Sequence, residues 1–252
     1  MNRLRMYWGF LIIVLSHGIH AKELLLVAGL EKPPYVIPAI DSGFEVELME
    51  QVLSTLGYST SIVYVPYGRT YDITKQIKAD IGLTLTASSG VESALLTVPY
   101  VVYQNVAISL KQQKIELTKV AELQSYSLVS FQNANKILGY EFEQAAKVSP
   151  LYFELPDQQR QVELLLHGKI DVIVMDVNIF KHFAKTIAGD NVISKVDVHS
   201  LFSSTYYQAV INSPELRQAF NQAFTAYIKT EQYAELLKKY DMPYLLKDRF
   251  SD

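Results

Sequence analysis

The chain has 252 residues, of which 49% are hydrophobic and 19% charged, with a formal net charge of −3 and no cysteine. That length accommodates one large core or two modest ones. The slight acidity offers no basic surface for a phosphate backbone. The lack of cysteine removes disulfides, thiol catalysis, cysteine-based zinc sites and a lipid-modified cysteine anchor together.

Arg3 and Arg5 precede the unbroken apolar run of residues 8–15 (WGFLIIVL), and a short polar stretch leads to Ala21. The run falls far short of the roughly 20 residues that span a bilayer, and its flanks are those of a secretory signal. Residues 1–21 therefore read as a signal peptide cleaved near Ala21, with export to the periplasm. An uncleaved anchor helix is the alternative.

Residues 22–28 (KELLLVA) form a short apolar run that Gly29 and the Pro33-Pro34 pair end, as a buried strand entering a rigid loop does. Phe44, Leu48, Val52 and Leu56 recur at helical spacing and Gly57 stops them. Residues 61–65 read as a strand, 70–79 as a helix and 80–85 as a strand. This completes a βαβαβ unit and predicts parallel pairing. The phrase returns as strand 128–131, helix 134–146, strand 151–153, helix 158–166 and strand 170–175. At both helix–strand junctions, Lys78-Ala79-Asp80-Ile81 and Lys169-Ile170-Asp171, an Asp opens an apolar strand. Residues 101–110 and 196–211 are extended and rich in Val, Tyr and Ser, which makes them candidate crossings between two lobes. Ser213-Pro214-Glu215 is a helix start, with Leu216, Phe220, Phe224 and Tyr227 as its apolar stripe. A last helix covers 231–240.

Gly43-Phe44-Glu45-Val46-Glu47-Leu48, Lys78-Ala79-Asp80, Thr84-Leu85-Thr86, Pro99-Tyr100, Phe131-Gln132-Asn133-Ala134-Asn135 and Ile170-Asp171-Val172-Ile173-Val174-Met175-Asp176 occur in this order. In order and spacing the chain resembles the bacterial extracellular solute-binding proteins of family 3, the amino-acid-binding type with the type II periplasmic-binding-protein fold. The resemblance implies two lobes, each a mostly parallel sheet flanked by helices, joined by two hinge strands. Lobe 1 would comprise residues 22–108 and 206–252, and lobe 2 residues 109–205. It also implies a monomer that holds a small polar solute, amino-acid-like or related, for the membrane permease of an ABC transporter. A sensor's exterior domain is the alternative partner, and a dehydratase-type enzyme on the same scaffold the alternative activity. No cofactor or nucleic acid is implied.

The same resemblance assigns a site residue by residue. Asp176 falls at the position that binds an ammonium group, although an Asp directly after a strand is also a helix N-cap. Thr84 and Thr86 fall where hydroxyl donors lie, or are there for β-propensity. Asn135 caps a helix or faces the ligand, and Tyr35 is the candidate stacking residue. The family's carboxylate-binding arginine is replaced by Ser89, and a hydroxyl cannot imitate a bidentate guanidinium. Arg69 is the candidate substitute cation, with Arg160 a second. Recognition of an amino acid's carboxylate is thereby put in question.

Reactive constellations are lacking. The sequence has no Gly-x-Ser-x-Gly elbow, no His-Glu-x-x-His and no phosphate-cradling glycine loop. His167, His182 and His199 are not at metal-ligand spacing. Glu45 and Glu47, two apart on a helix, point to different faces and do not make an acid–base pair.

Overall fold

A computed structural model describes residues 22–66, 68–243 and 246. The expected signal peptide lies outside the described residues. In the first half, β1 (Lys22–Gly29), α1 (Phe44–Thr55), β2 (Tyr58–Val65), α2 (Thr70–Gln76) and β3 (Ile81–Leu85) alternate, and β4 (Val101–Tyr103) follows. Next come β5 (Asn105–Leu110), β6 (Leu128–Phe131), α3 (Ala134–Ile137), α4 (Tyr140–Val148), β7 (Tyr152–Leu155) and α5 (Gln158–Leu166). The chain ends with β8 (Val172–Asp176), α6 (Val177–Ala188), β9 (Val196–His199), β10 (Thr205–Ile211), α7 (Pro214–Tyr227) and α8 (Glu231–Lys239).

The strands form two five-stranded sheets, ordered β2-β1-β3-β10-β4 and β7-β6-β8-β5-β9. In the first, β1 pairs parallel with β2 and β3, whereas β10 runs antiparallel to β3 and β4. In the second, β6 pairs parallel with β7 and β8, whereas β5 runs antiparallel to β8 and β9. Each sheet is thus parallel apart from one reversed strand at the same place in the order. The reversed strands neighbour the two crossings: β4 leads into β5 through Gln104, and β9 leads into β10. The chain is two α/β lobes of like construction, one inserted into the other.

Burial follows the strand positions. The central strands β1 and β8 are apolar on both faces, and the edge strand β2 is only half-buried. One connected apolar cluster takes in both lobes, from Leu26 and Leu83 through Val101–Val106 to Ile173 and Met175. A second core underlies the far side of lobe 2 around Leu128, Phe142 and Val174.

The single helix expected over 134–146 is two helices. Gly139, at φ 91°, lies outside the region other residues favour and caps the start of α4 instead of continuing α3. Apolar spacing across the break is what makes the two read as one.

Candidate functional site

The loop after β1 is laid against the start of α1. The N–H groups of Phe44 and Glu45 donate to the carbonyls of Pro34 (2.8 Å) and Tyr35 (3.0 Å), so the loop itself satisfies the first orphan donors of the helix. The contact requires glycine at residue 43: φ is 127°, and a Cβ there would lie 2.3 Å from the Tyr35 carbonyl oxygen. Lys32, Tyr35 and Glu45 are thereby fixed close together on one wall of lobe 1.

Glu45 is fully buried, in the first turn of a helix. It accepts from the Thr84 hydroxyl at 2.6 Å and from the Tyr100 hydroxyl. Lys32 Nζ donates to Thr84 Oγ1 at 3.1 Å and lies 3.9 Å from Glu45 Oε2, with 12% of its side chain exposed. It also sits 5.4 Å from the centre of the Tyr103 ring, within cation–π range. Burial pulls the Lys32 ammonium below the usual lysine range, and the nearby charges of Glu45 and Asp176 oppose that shift.

Thr84 reaches this pair because β3 bulges. Gly82 faces Val210 and Leu85 faces Gln208, so β3 spends two residues where β10 spends one. Thr84 is in the left-handed region at φ 55°, an outlying conformation for a β-branched residue. Its N–H donates to the Tyr100 hydroxyl at 2.9 Å. The extra residue turns the hydroxyl toward the Lys32–Glu45 pair.

Lobe 2 contributes Asp176. Its carboxylate caps α6 by accepting from the N–H groups of Asn178 (2.9 Å) and Ile179 (3.1 Å). It accepts as well from Gln104 N (2.8 Å) and, across the lobes, from the Tyr35 hydroxyl (3.2 Å). Burial outweighs these donors and raises its pKa to about 6. The Tyr35 hydroxyl accepts in turn from Asn178 Nδ2 at 3.0 Å, and the Tyr35 ring stacks on Tyr103 with centroids 4.0 Å apart. Buried oxygens without a hydrogen-bond partner include Glu45 Oε2, Tyr103 Oη and Asn178 Oδ1, all in this region.

Of the residues singled out from the sequence, Tyr35, Thr84 and Asp176 converge here. Tyr35 is fully buried and bridges the lobes, so it is a cross-link and not an open stacking platform. Thr86 and Ser89 bond to one another at the edge of β3, the Ser89 hydroxyl accepting from Thr86 N at 3.2 Å. Arg69 is exposed at the start of α2, and Arg160 is exposed and paired with Glu163 at 2.7 Å. Asn135 is in the first turn of α3, at the turn after β6, where Glu154 accepts from the N–H groups of Asn133 (2.7 Å) and Asn135 (3.1 Å). That anion-binding turn already holds an internal carboxylate.

Lys32 and Tyr103 were not singled out in the sequence, and Glu45 and Tyr100 entered only through family motifs, Glu45 also as one of two carboxylates set aside as an acid–base pair, none of them as a site residue. Only Glu45 carried a signal: a carboxylate one residue into an apolar helix start, between Phe44 and Val46. Among the described residues, no three His, Asp or Glu side chains are grouped so as to hold a metal ion.

Beside the cluster, a cavity of about 300 Å³ lies between the lobes. Asn178, Lys181, His182 and Lys185 of α6 line one wall, and Pro34, Ile37 and Lys239–Asp241 line the other. The Lys185–Asp241 ion pair (3.0 Å) crosses it.

Two like lobes with charged and aromatic groups meeting at strand ends between them define a solute-binding protein of the two-lobed α/β type. The chain belongs to the bacterial extracellular solute-binding proteins, family 3, which it matches over residues 27–242. No curated protein sequence matches it. Among solved structures, it is similar to the GluR0 ligand-binding core in complex with L-glutamate, with TM-score 0.69 and 15% identity over 88% of this chain and 99% of that one. An ancestral arginine-binding protein bound to arginine gives TM-score 0.67 and 16% identity over 88% of this chain and 99% of that one. A histidine kinase sensor domain gives 0.67 and 15% over 86% and 95%.

Proposed function

We propose that this protein captures a small polar solute between its lobes in the periplasm and delivers it, chemically unchanged, to the membrane permease of an ABC transporter. The observation that carries this reading is the charged cluster between the lobes. Lys32, Tyr35, Glu45 and Thr84 of lobe 1 face Asp176 of lobe 2, and Glu45 Oε2 and Tyr103 Oη have unused bonding capacity. Polar groups left unpaired in a buried site favour a partner that brings complementary hydrogen bonds. Closure of the lobes around such a partner would be a hinge motion at the two crossings.

The test is thermal unfolding of the purified protein against a library of amino acids, amines, organic acids and small peptides. One member at a hundred times its dissociation constant is expected to add about 2.7 kcal/mol by mass action. A library-wide lack of any rise in melting temperature would overturn the reading. The likeness to a histidine kinase sensor domain supports a second partner, a membrane sensor. Co-purification of the solute-loaded protein with a permease or with a kinase separates the two.

A further inference from the structure

The two crossings between the lobes are unequal. β4 passes into β5 through Gln104 alone, whereas β9 passes into β10 through residues 200–204. In the longer crossing, Leu201 and Phe202 pack on the lobe 2 core, the Phe202 ring 5.8 Å from that of Phe142. Thr205, in turn, already pairs with Tyr103 in the sheet of lobe 1. The backbone left to bend is therefore short on both sides: Gln104 in one crossing, Ser203 and Ser204 in the other.

Every polar group of Gln104 is used, and its bonds join the two crossings. Nε2 donates to the carbonyls of Asn105 (3.0 Å) and Phe202 (2.8 Å), and Oε1 accepts from the Ser204 hydroxyl at 2.6 Å. The backbone N–H donates to Asp176 Oδ2 (2.8 Å) and the carbonyl accepts from Val177 N (3.0 Å), which ties the same residue to the start of α6. An amide carries donors and an acceptor on one planar group, so a single side chain can hold both strands.

From this we infer that the Gln104 side chain clasps the two crossings into a single hinge, so that the lobes turn about one axis through Gln104 and Ser204 instead of twisting on two independent strands. The device goes beyond the capture proposed above and does not depend on which solute is bound. Asp176, bonded to both Gln104 N and the Tyr35 hydroxyl, links the hinge to the charged cluster between the lobes.

The chain has no cysteine, so spin labels attach only where cysteines are introduced. Ser54→Cys in α1 and Glu141→Cys in α4 use exposed positions, one on each lobe. Double electron–electron resonance on the solute-free protein then reads the spread of interlobe distances. Gln104→Met, similar in length but lacking the amide, is expected to broaden that spread at least about two-fold, since two unlinked strands permit twist as well as closure. Ser204→Ala removes only the bond from the other crossing, is expected to broaden the spread in the same direction, and carries the test if Gln104→Met does not fold. Ser127→Ala is the control: it removes the bonds between the Ser127 hydroxyl and Asp171 inside lobe 2 and is expected to leave the spread unchanged. An unchanged spread in Gln104→Met, or in Ser204→Ala where Gln104→Met does not fold, would overturn the inference, and so would equal broadening in Ser127→Ala. A solute screen that fails would remove the function proposed above and leave this result standing.

Discussion

Lys32 and Glu45 form a pair that is nearly shut off from water, and its two members are not symmetric in what their loss does. Lys32→Met leaves the Glu45 carboxylate buried without a cation, a situation that costs about 3–5 kcal/mol, whereas replacing both partners by apolar residues is often close to neutral. Urea unfolding of Lys32→Met, Glu45→Leu and the double variant should therefore give strong non-additivity, the double variant being more stable than Lys32→Met alone. Additive losses would mean that the pair does not interact. Asp176 makes a prediction of opposite kind. Its pKa is raised to about 6 from an ordinary 3.8, because burial opposes the charged form more than its donors support it. A carboxyl raised on folding stabilises the native state fully below its unfolded pKa and loses that contribution as pH rises through the folded one. Between pH 4 and pH 6 to 7, wild type should lose stability relative to Asp176→Asn, on the order of 3 kcal/mol. A pH-independent difference between the two would remove the assignment.

At the scale of elements, two local irregularities build the site: the Gly43 turn and the bulge in β3. Gly43→Ala places a methyl group against the Tyr35 carbonyl at a φ that L-residues rarely adopt, so the loop carrying Lys32 and Tyr35 must shift. A loss of at least about 2 kcal/mol in unfolding free energy is expected, read from chemical denaturation. These features also mark where sequence reading stops. The alternation of helices and strands was legible because apolar spacing reports which face is buried, and the capping of α6 by Asp176 was legible because an Asp directly after a buried strand suits a helix N-cap. Glu45 finds Thr84 39 positions away and Lys32 13 positions before it, through a one-residue bulge that leaves no trace in composition. Arg69 carries the expected charge but is exposed at the start of α2. Gly139 was visible in the sequence, yet the apolar residues on either side outweighed it.

At the scale of the whole molecule, the two sheets repeat one strand order although the chain enters each differently. Lobe 2 is built from one continuous stretch, β5 to β9, whereas lobe 1 is completed by β10, α7 and α8 after lobe 2 has been traversed. Within lobe 1, β10 lies between β3 and β4 and, among the described residues, is the only strand that β4 pairs with. A nascent chain therefore carries an unfinished first sheet, with the edge of β3 bare, until nearly all of its length has emerged. The inserted lobe can close first, and the arrival of β10 then seals the outer one, so assembly of the cleft waits until β10 has been made.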